Sequence, residues 1–187
     1  MIRLLLAATL LAGPALADTA PGDLIGTWST DLVPQPSPDG AQSAWLRQSI
    51  AFDAERESYT AEAFADEAAA RPIFTYRSEG PWQAAGPAPG VPGALALDLR
   101  NERSEVTIHV DAPEIWRAIG LADCPLAIGE AVDIASCVAG PPFQVADCTD
   151  LDLAQVKGNA LRMGAPGTDR CLARPDALGD LVFRRQP

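Results

Sequence analysis

The sequence predicts a mainly β chain: an antiparallel meander that closes, or half closes, into a barrel and carries one short helix. Three observations carry this reading. The chain holds 15 glycines and 17 prolines, and they cluster between the apolar stretches, where they break up long helices. The apolar stretches themselves alternate with a period of two. Only the stretch after Asp111 has both start and stop signals for a helix. Successive strands joined by short turns pair antiparallel, and closure is one way such a sheet removes its exposed edges.

Residues 1–17 read as an export leader. Arg3 precedes an apolar run from Leu4 to Leu11, and Ala15-Leu16-Ala17 has the A-x-A form of a cleavage site. The run is shorter than the roughly 20 residues that span a bilayer. The mature chain then begins at Asp18, and residues 18–187 form a single domain, secreted or periplasmic. No cysteine follows the cleavage site, so no lipid anchor is expected there.

Leu24–Val33 is the first strand, and Val33–Ser43 ("VPQPSPDGAQS") a loop. Trp45–Phe52 alternates, with Leu46, Gln48, Ile50 and Phe52 on one face and Trp45, Arg47 and Ser49 on the other. Ser58–Ala65 sets Tyr59, Ala61, Ala63 and Ala65 on one face. Small side chains pointing inward would leave room inside a barrel. Pro72–Trp82 is a further strand, followed by a Pro/Gly loop at Gly86–Gly93. Ala94–Val110 reads as two strands around a turn near Asn101-Glu102: Leu95, Leu97 and Leu99 share one face, and Val106, Ile108 and Val110 share one on the return. In the helix, Asp111 can cap, Pro113 suits the first turn, Ile115, Trp116 and Ile119 form the apolar stripe, and Gly120 ends it. Lys157-Gly158-Asn159 turns a hairpin whose apolar positions are Leu153, Val156, Leu161 and Met163. Leu181–Arg185 is the closing strand.

The formal net charge of −11 repels nucleic acid and anionic lipid surfaces, so neither is an expected partner. The acidity reads as a solvated surface, and carboxylates such as Glu62 and Asp66 belong to it. The cysteines are Cys124, Cys137, Cys148 and Cys171. An even count after an export leader implies two disulfides, with three pairings open. Cys124–Cys137 with Cys148–Cys171 is favoured because each closes a local loop. A zinc site is disfavoured, since there is no C-x-x-C and His109 is the single histidine.

No catalytic constellation can be assembled. The sequence has no G-x-S-x-G, phosphate loop or metal-ligand cluster, and no cofactor or metal is expected. His109 alone could serve as a general base, and a hydrogen-bonded strand histidine is the favoured reading. The aromatics of the first half offer a different role. Trp45, Phe52, Tyr59, Phe64, Phe74, Tyr76 and Trp82, together with Ala61 and Ala63, could line a barrel lumen suited to an acyl chain or another apolar molecule.

The chain resembles a known family over about Leu24–Phe183. Gly26-Thr27-Trp28-Ser29 is similar to a G-x-W-x-S opening, and Arg47 falls where the family has an arginine in its second strand. Asp66, Pro72, Phe74 and Gly80 match an aromatic-x-D…P-x-F/Y…G stretch, "VPGALALDL" a following strand, and Cys124, Gly129, Asp133 and Cys137 a C…G…D…C segment. "DLAQVKGNALRMG…RCLARP" resembles the closing hairpin and its Arg-Pro. The family is that of the Wnt-inhibitor extracellular domains named for down-regulation by adenomatosis polyposis coli. The chain departs from it where Thr30-Asp31 and Ala68-Ala69-Ala70 stand in place of cysteines. It also offers one such domain rather than two, so a Wnt ligand is not implied. The resemblance implies a lipocalin-like, half-open barrel that binds lipid. It also implies that Trp28 plugs the narrow end beneath a basic side chain of the last strand, either Arg184 or Arg185. The expected function is therefore a non-catalytic binding protein for a lipid or other hydrophobic small molecule. The alternative is a periplasmic interaction module with a filled core whose loops bind a partner protein.

Overall fold

A computed structural model describes residues 18–36, 42–138, 143 and 148–187. The expected leader lies outside the described residues, as does part of the Val33–Ser43 loop.

The fold is mainly β. Its strands are β1 (Gly26–Ser29), β2 (Val33–Pro36), β3 (Gln42–Phe52), β4 (Arg56–Phe64), β5 (Pro72–Pro87), β6 (Leu95–Arg100), β7 (Arg103–Ile108), β8 (Ala131–Asp133), β9 (Thr149–Lys157), β10 (Ala160–Met163) and β11 (Phe183–Arg185). Two short helices accompany them, α1 (Pro21–Leu24) and α2 (Pro113–Ala118). β1, β3, β4, β5, β6, β9, β10 and β11 close into an eight-stranded antiparallel barrel, which is the architecture the alternation predicts. Beyond that ring, β2 extends β3, while β7 and β8 extend β5 as a splayed sheet.

The first predicted strand is broken. Pro21 at the first helical position starts α1, the Ala20 amide donates to Asp23 Oδ2 at 2.8 Å, and β1 begins only at Gly26. β2 then forms within the expected loop, because Val33–Pro36 pairs with β3. β4 starts at Arg56, two residues earlier than the alternation suggested. α2 occupies the expected helix, but its N-cap is Ala112 rather than Asp111, with no side-chain cap.

A larger correction concerns β6 and β7, which are not a hairpin. Both run along the same edge of β5, with Trp82 opposite Leu99 and Glu79 opposite Arg103. Three residues, Arg100, Asn101 and Glu102, thus oppose two, Gly80 and Pro81. The extra residue makes a β-bulge and bends the strand. Gly80 permits this crossing: a Cβ there would lie 1.7 Å from the Arg100 carbonyl oxygen. Past the bulge, the strand leaves β9 and pairs with β8 instead.

The bulge divides the core. At the closed end, Leu24, Trp28, Ile50, Phe52, Leu95, Leu97, Leu99, Ala154, Leu161 and Phe183 pack together inside the barrel. At the splayed end, Ala61, Ala63, Tyr76, Val106 and Ile108 form a concave face filled by Trp116, Leu121, Ile134 and Phe143. The disulfide Cys124–Cys137 staples this filling segment, and Cys148–Cys171 ties the start of β9 to the 164–182 loop.

Candidate functional site

A cavity of about 840 Å³ lies between the two cores, beneath the 164–182 loop. That size falls within the range of small-molecule sites. Much of the lining is apolar or aromatic: Ile50, Tyr59, Tyr76, Leu99, Phe143, Met163 and Phe183. Among these side chains stand the polar groups Glu57, Asn101, Asp150 and Asp152, with Gln48 and Arg170 also in the lining.

These polar groups enter through the pleat. Glu57 is two residues before Tyr59 and four before Ala61, so it shares their inward face. It pairs with Phe52 on one side and Gly80 on the other, and is 2% exposed. Asp150 and Asp152 sit opposite Leu99 and Leu97, and therefore also point inward. Asn101 is delivered by the bulge and is equally buried.

Their electrostatic states differ. Burial pushes the Glu57 carboxyl up to about 8, and the neighbouring Asp150 charge adds to that shift. Among the described residues, neither Glu57 oxygen has a hydrogen-bond partner, and Asn101 Oδ1 has none. Asp152 is fully engaged by contrast. Arg170 lies 2.8 Å from its Oδ2, and the Leu153 and Gly164 amides donate to Oδ1 at 2.7 and 3.0 Å. Burial raises its carboxyl to about 6 against the pull of Arg170 and those amides. Tyr59 donates its hydroxyl to Gln48 Oε1 at 2.8 Å, and burial pushes its phenol upward.

The loop above the cavity is anchored at three points. Arg170 holds Asp152 from within. Arg174 bonds Asp98 Oδ1 at 2.6 Å and donates to the Leu97 and Asp152 carbonyls. Cys171 is bonded to Cys148.

Of the lumen residues expected from sequence, Tyr59 and Tyr76 line this cavity. Ala61 and Ala63 do face inward, but the space they leave is taken by Trp116, Leu121 and Ile134. Phe74 packs edge-on against Trp116, with ring centroids 6.2 Å apart. Phe52 packs against Trp82 at 5.2 Å, and the Trp82 indole donates to the Asp53 carbonyl. Trp45 and Phe64 face each other across β3 and β4, and Arg47 lies 5.3 Å from the Phe64 ring. Glu62 and Asp66 pair with Arg47 and Arg71. His109 hydrogen-bonds Thr75 at 3.1 Å.

At the closed end Trp28 is fully buried, and its indole donates to the Leu24 carbonyl at 2.7 Å. The Arg185 guanidinium lies 4.1 Å from the Trp28 ring centroid and also donates to the Ile25 and Asp23 carbonyls. Arg184 is opposite Ser29, on the other face of the strand. Gly26, at φ +127°, makes room for this arginine: a Cβ would come within 2.8 Å of its Nη1.

The polar part of the lining is what the sequence pattern does not reveal. Glu57 is in phase with the inward face of Tyr59, Ala61 and Ala63, but a strand begun at Ser58 leaves it one residue outside. No group of His, Cys, Asp and Glu among the described residues is arranged to hold a metal ion. No family model matches this chain, and a search of curated proteins finds no match.

Proposed function

We propose that this protein is a non-catalytic binding protein that holds a lipid or other hydrophobic small molecule in its β-barrel. The observation that carries the reading is the 840 Å³ cavity, whose lining combines apolar and aromatic side chains with a few buried polar groups. Such a lining matches a molecule with a long apolar part and one polar end. Each methylene moved from water to the apolar lining contributes about 0.8 kcal/mol. The sequence resemblance to the lipid-binding extracellular domains described above supports the same reading. Two disulfides fit an oxidising compartment, and with the expected leader they support a periplasmic or secreted location.

The test is titration of purified protein with N-phenyl-1-naphthylamine, a neutral dye that brightens in apolar surroundings. We expect saturable brightening, and native mass spectrometry of the same protein should reveal a releasable small amphiphile. A filled barrel gives neither signal, and that outcome would reject the proposal in favour of an interaction module.

A further inference from the structure

We propose that the ligand's polar end is a primary ammonium, seated on Glu57 and Asn101 with Asp150 beside them. This rests on the cavity being a ligand site, as proposed above, and names the chemical class of its occupant.

The argument begins from unmet hydrogen bonds. Both Glu57 oxygens and Asn101 Oδ1 are buried without a donor among the described residues, and both residues line the cavity. Leaving a buried acceptor unmatched costs about 1–3 kcal/mol, and more for a charged group. Folding alone therefore disfavours this arrangement. A bound group that supplies donors removes the penalty. With Glu57 ionised, every unmatched atom here is an acceptor, and the partner that fits this state is a donor.

Charge narrows the choice among donors. Asp150 and Asp152 on β9 both act on Glu57, as do Arg56 on its own strand and Glu79 on β5. Arg170 is the one cation among the described lining residues, and it is already held by Asp152. The Glu57–Asp150 side is thus negative or readily made so, and it repels a fatty-acid carboxylate. An ammonium brings three donors and a positive charge to the place where both are missing. A quaternary ammonium brings the charge without the donors. An alcohol brings one donor without the charge. The apolar lining residues, Ile50, Met163 and Phe183 among them, then take the alkyl chain.

Glu57, with its carboxyl raised to about 8, is mostly protonated at pH 7. Binding an ammonium draws the equilibrium to the carboxylate, and the proton passes to the buffer. Association should therefore release a proton.

The experiment is isothermal titration of the intact protein with dodecylammonium, dodecyltrimethylammonium, dodecanol and dodecanoate, each below its micelle concentration. Buffers of different ionisation enthalpy report the proton count. We expect dodecylammonium to bind at least tenfold tighter than each of the other three, with proton release near pH 7. Glu57→Gln should erase the preference and the release. Dodecanoate or dodecanol binding as tightly as dodecylammonium would overturn the ammonium while leaving the lipid-binding barrel intact. An unchanged preference in Glu57→Gln would overturn the seat. If none of the four binds, both this inference and the proposed function fail. Because the wild-type comparison of head groups needs no variant, the test stands even if a substitution disturbs the fold.

Discussion

Glu57 is a carboxyl in a place where β4 could have carried a leucine. Its two cross-strand neighbours are Phe52 and Gly80, and its side chain faces the lumen. Folding moves it from an ordinary value near 4.5 to about 8, chiefly by burial. A raised folded value means the native state holds a proton that the unfolded chain has lost between those limits. Stability from this group is complete below pH 4.5 and is lost as pH rises toward 8. Asp152, raised to about 6, adds a smaller fall of the same sign at the acid end of the window. The difference between wild type and Glu57→Gln cancels that second contribution. Urea denaturation at pH 5 and pH 8.5 should show Glu57→Gln gaining on wild type by a few kcal/mol at the higher pH, on the scale of about 1.4 kcal/mol for each tenfold change in proton affinity. A gap that stays constant with pH would mean Glu57 is ionised and solvated in the native protein.

At the scale of elements, the β6–β7 crossing decides where the site lies. The parity of the apolar residues changes within Ala94–Val110, from odd at Leu95, Leu97 and Leu99 to even at Val106 and Ile108. A tight turn and a bulge both produce such a change, and only pairing distinguishes them. β5 supplies the pairing, because its residues run on past the crossing to meet β7. The alternation was enough to read the barrel and most of its strands, while cap and stop signals placed the helix after Asp111 and local cysteine spacing gave both disulfides. The cavity's polar lining was less legible. In "TDLDLAQV" the leucines alternate with aspartates, and the general rule places the aspartates outside. Here they face inward, and Leu153 instead packs outside against Ala88, Ala94 and Ala96. Local rules fail most often where a fold is shaped for something other than stability. Gly80 tests the crossing directly. Gly80→Ala would push a methyl into the Arg100 carbonyl and displace the bulge that carries Asn101. We expect a loss of roughly 1–3 kcal/mol, the usual cost of overpacking, measured by urea unfolding. A loss near zero would show that the bulge moves freely.

On the scale of the whole molecule, the two disulfides divide the labour between plug and wall. Cys124–Cys137 closes a 13-residue separation within the segment that fills the splayed sheet, and neither of its cysteines lines the cavity. Cys148–Cys171 closes a 23-residue separation, and both of its cysteines line the cavity. Chain entropy assigns each bond about 3 kcal/mol, with little between them. Their effects on binding should diverge. Without Cys148–Cys171, the 164–182 loop keeps only non-covalent anchors, chiefly Arg170 on Asp152, Arg174 on Asp98 and on the Leu97 and Asp152 carbonyls, and the Leu151 amide on the Arg170 carbonyl. The Arg170 contact loses part of its strength to the desolvation of a buried ion pair, so it holds the wall less firmly than a covalent bond. The loop then opens more often, and the bound molecule escapes more readily. Replacing Cys148 and Cys171 with serine should weaken N-phenyl-1-naphthylamine binding at least tenfold, chiefly through faster dissociation. Replacing Cys124 and Cys137 with serine should lower stability by a similar amount yet leave dye affinity within about threefold. Stopped-flow release and urea titration of the two double variants make the comparison. Equal affinities in the two variants would place the ligand away from the 164–182 wall, against the closed core instead.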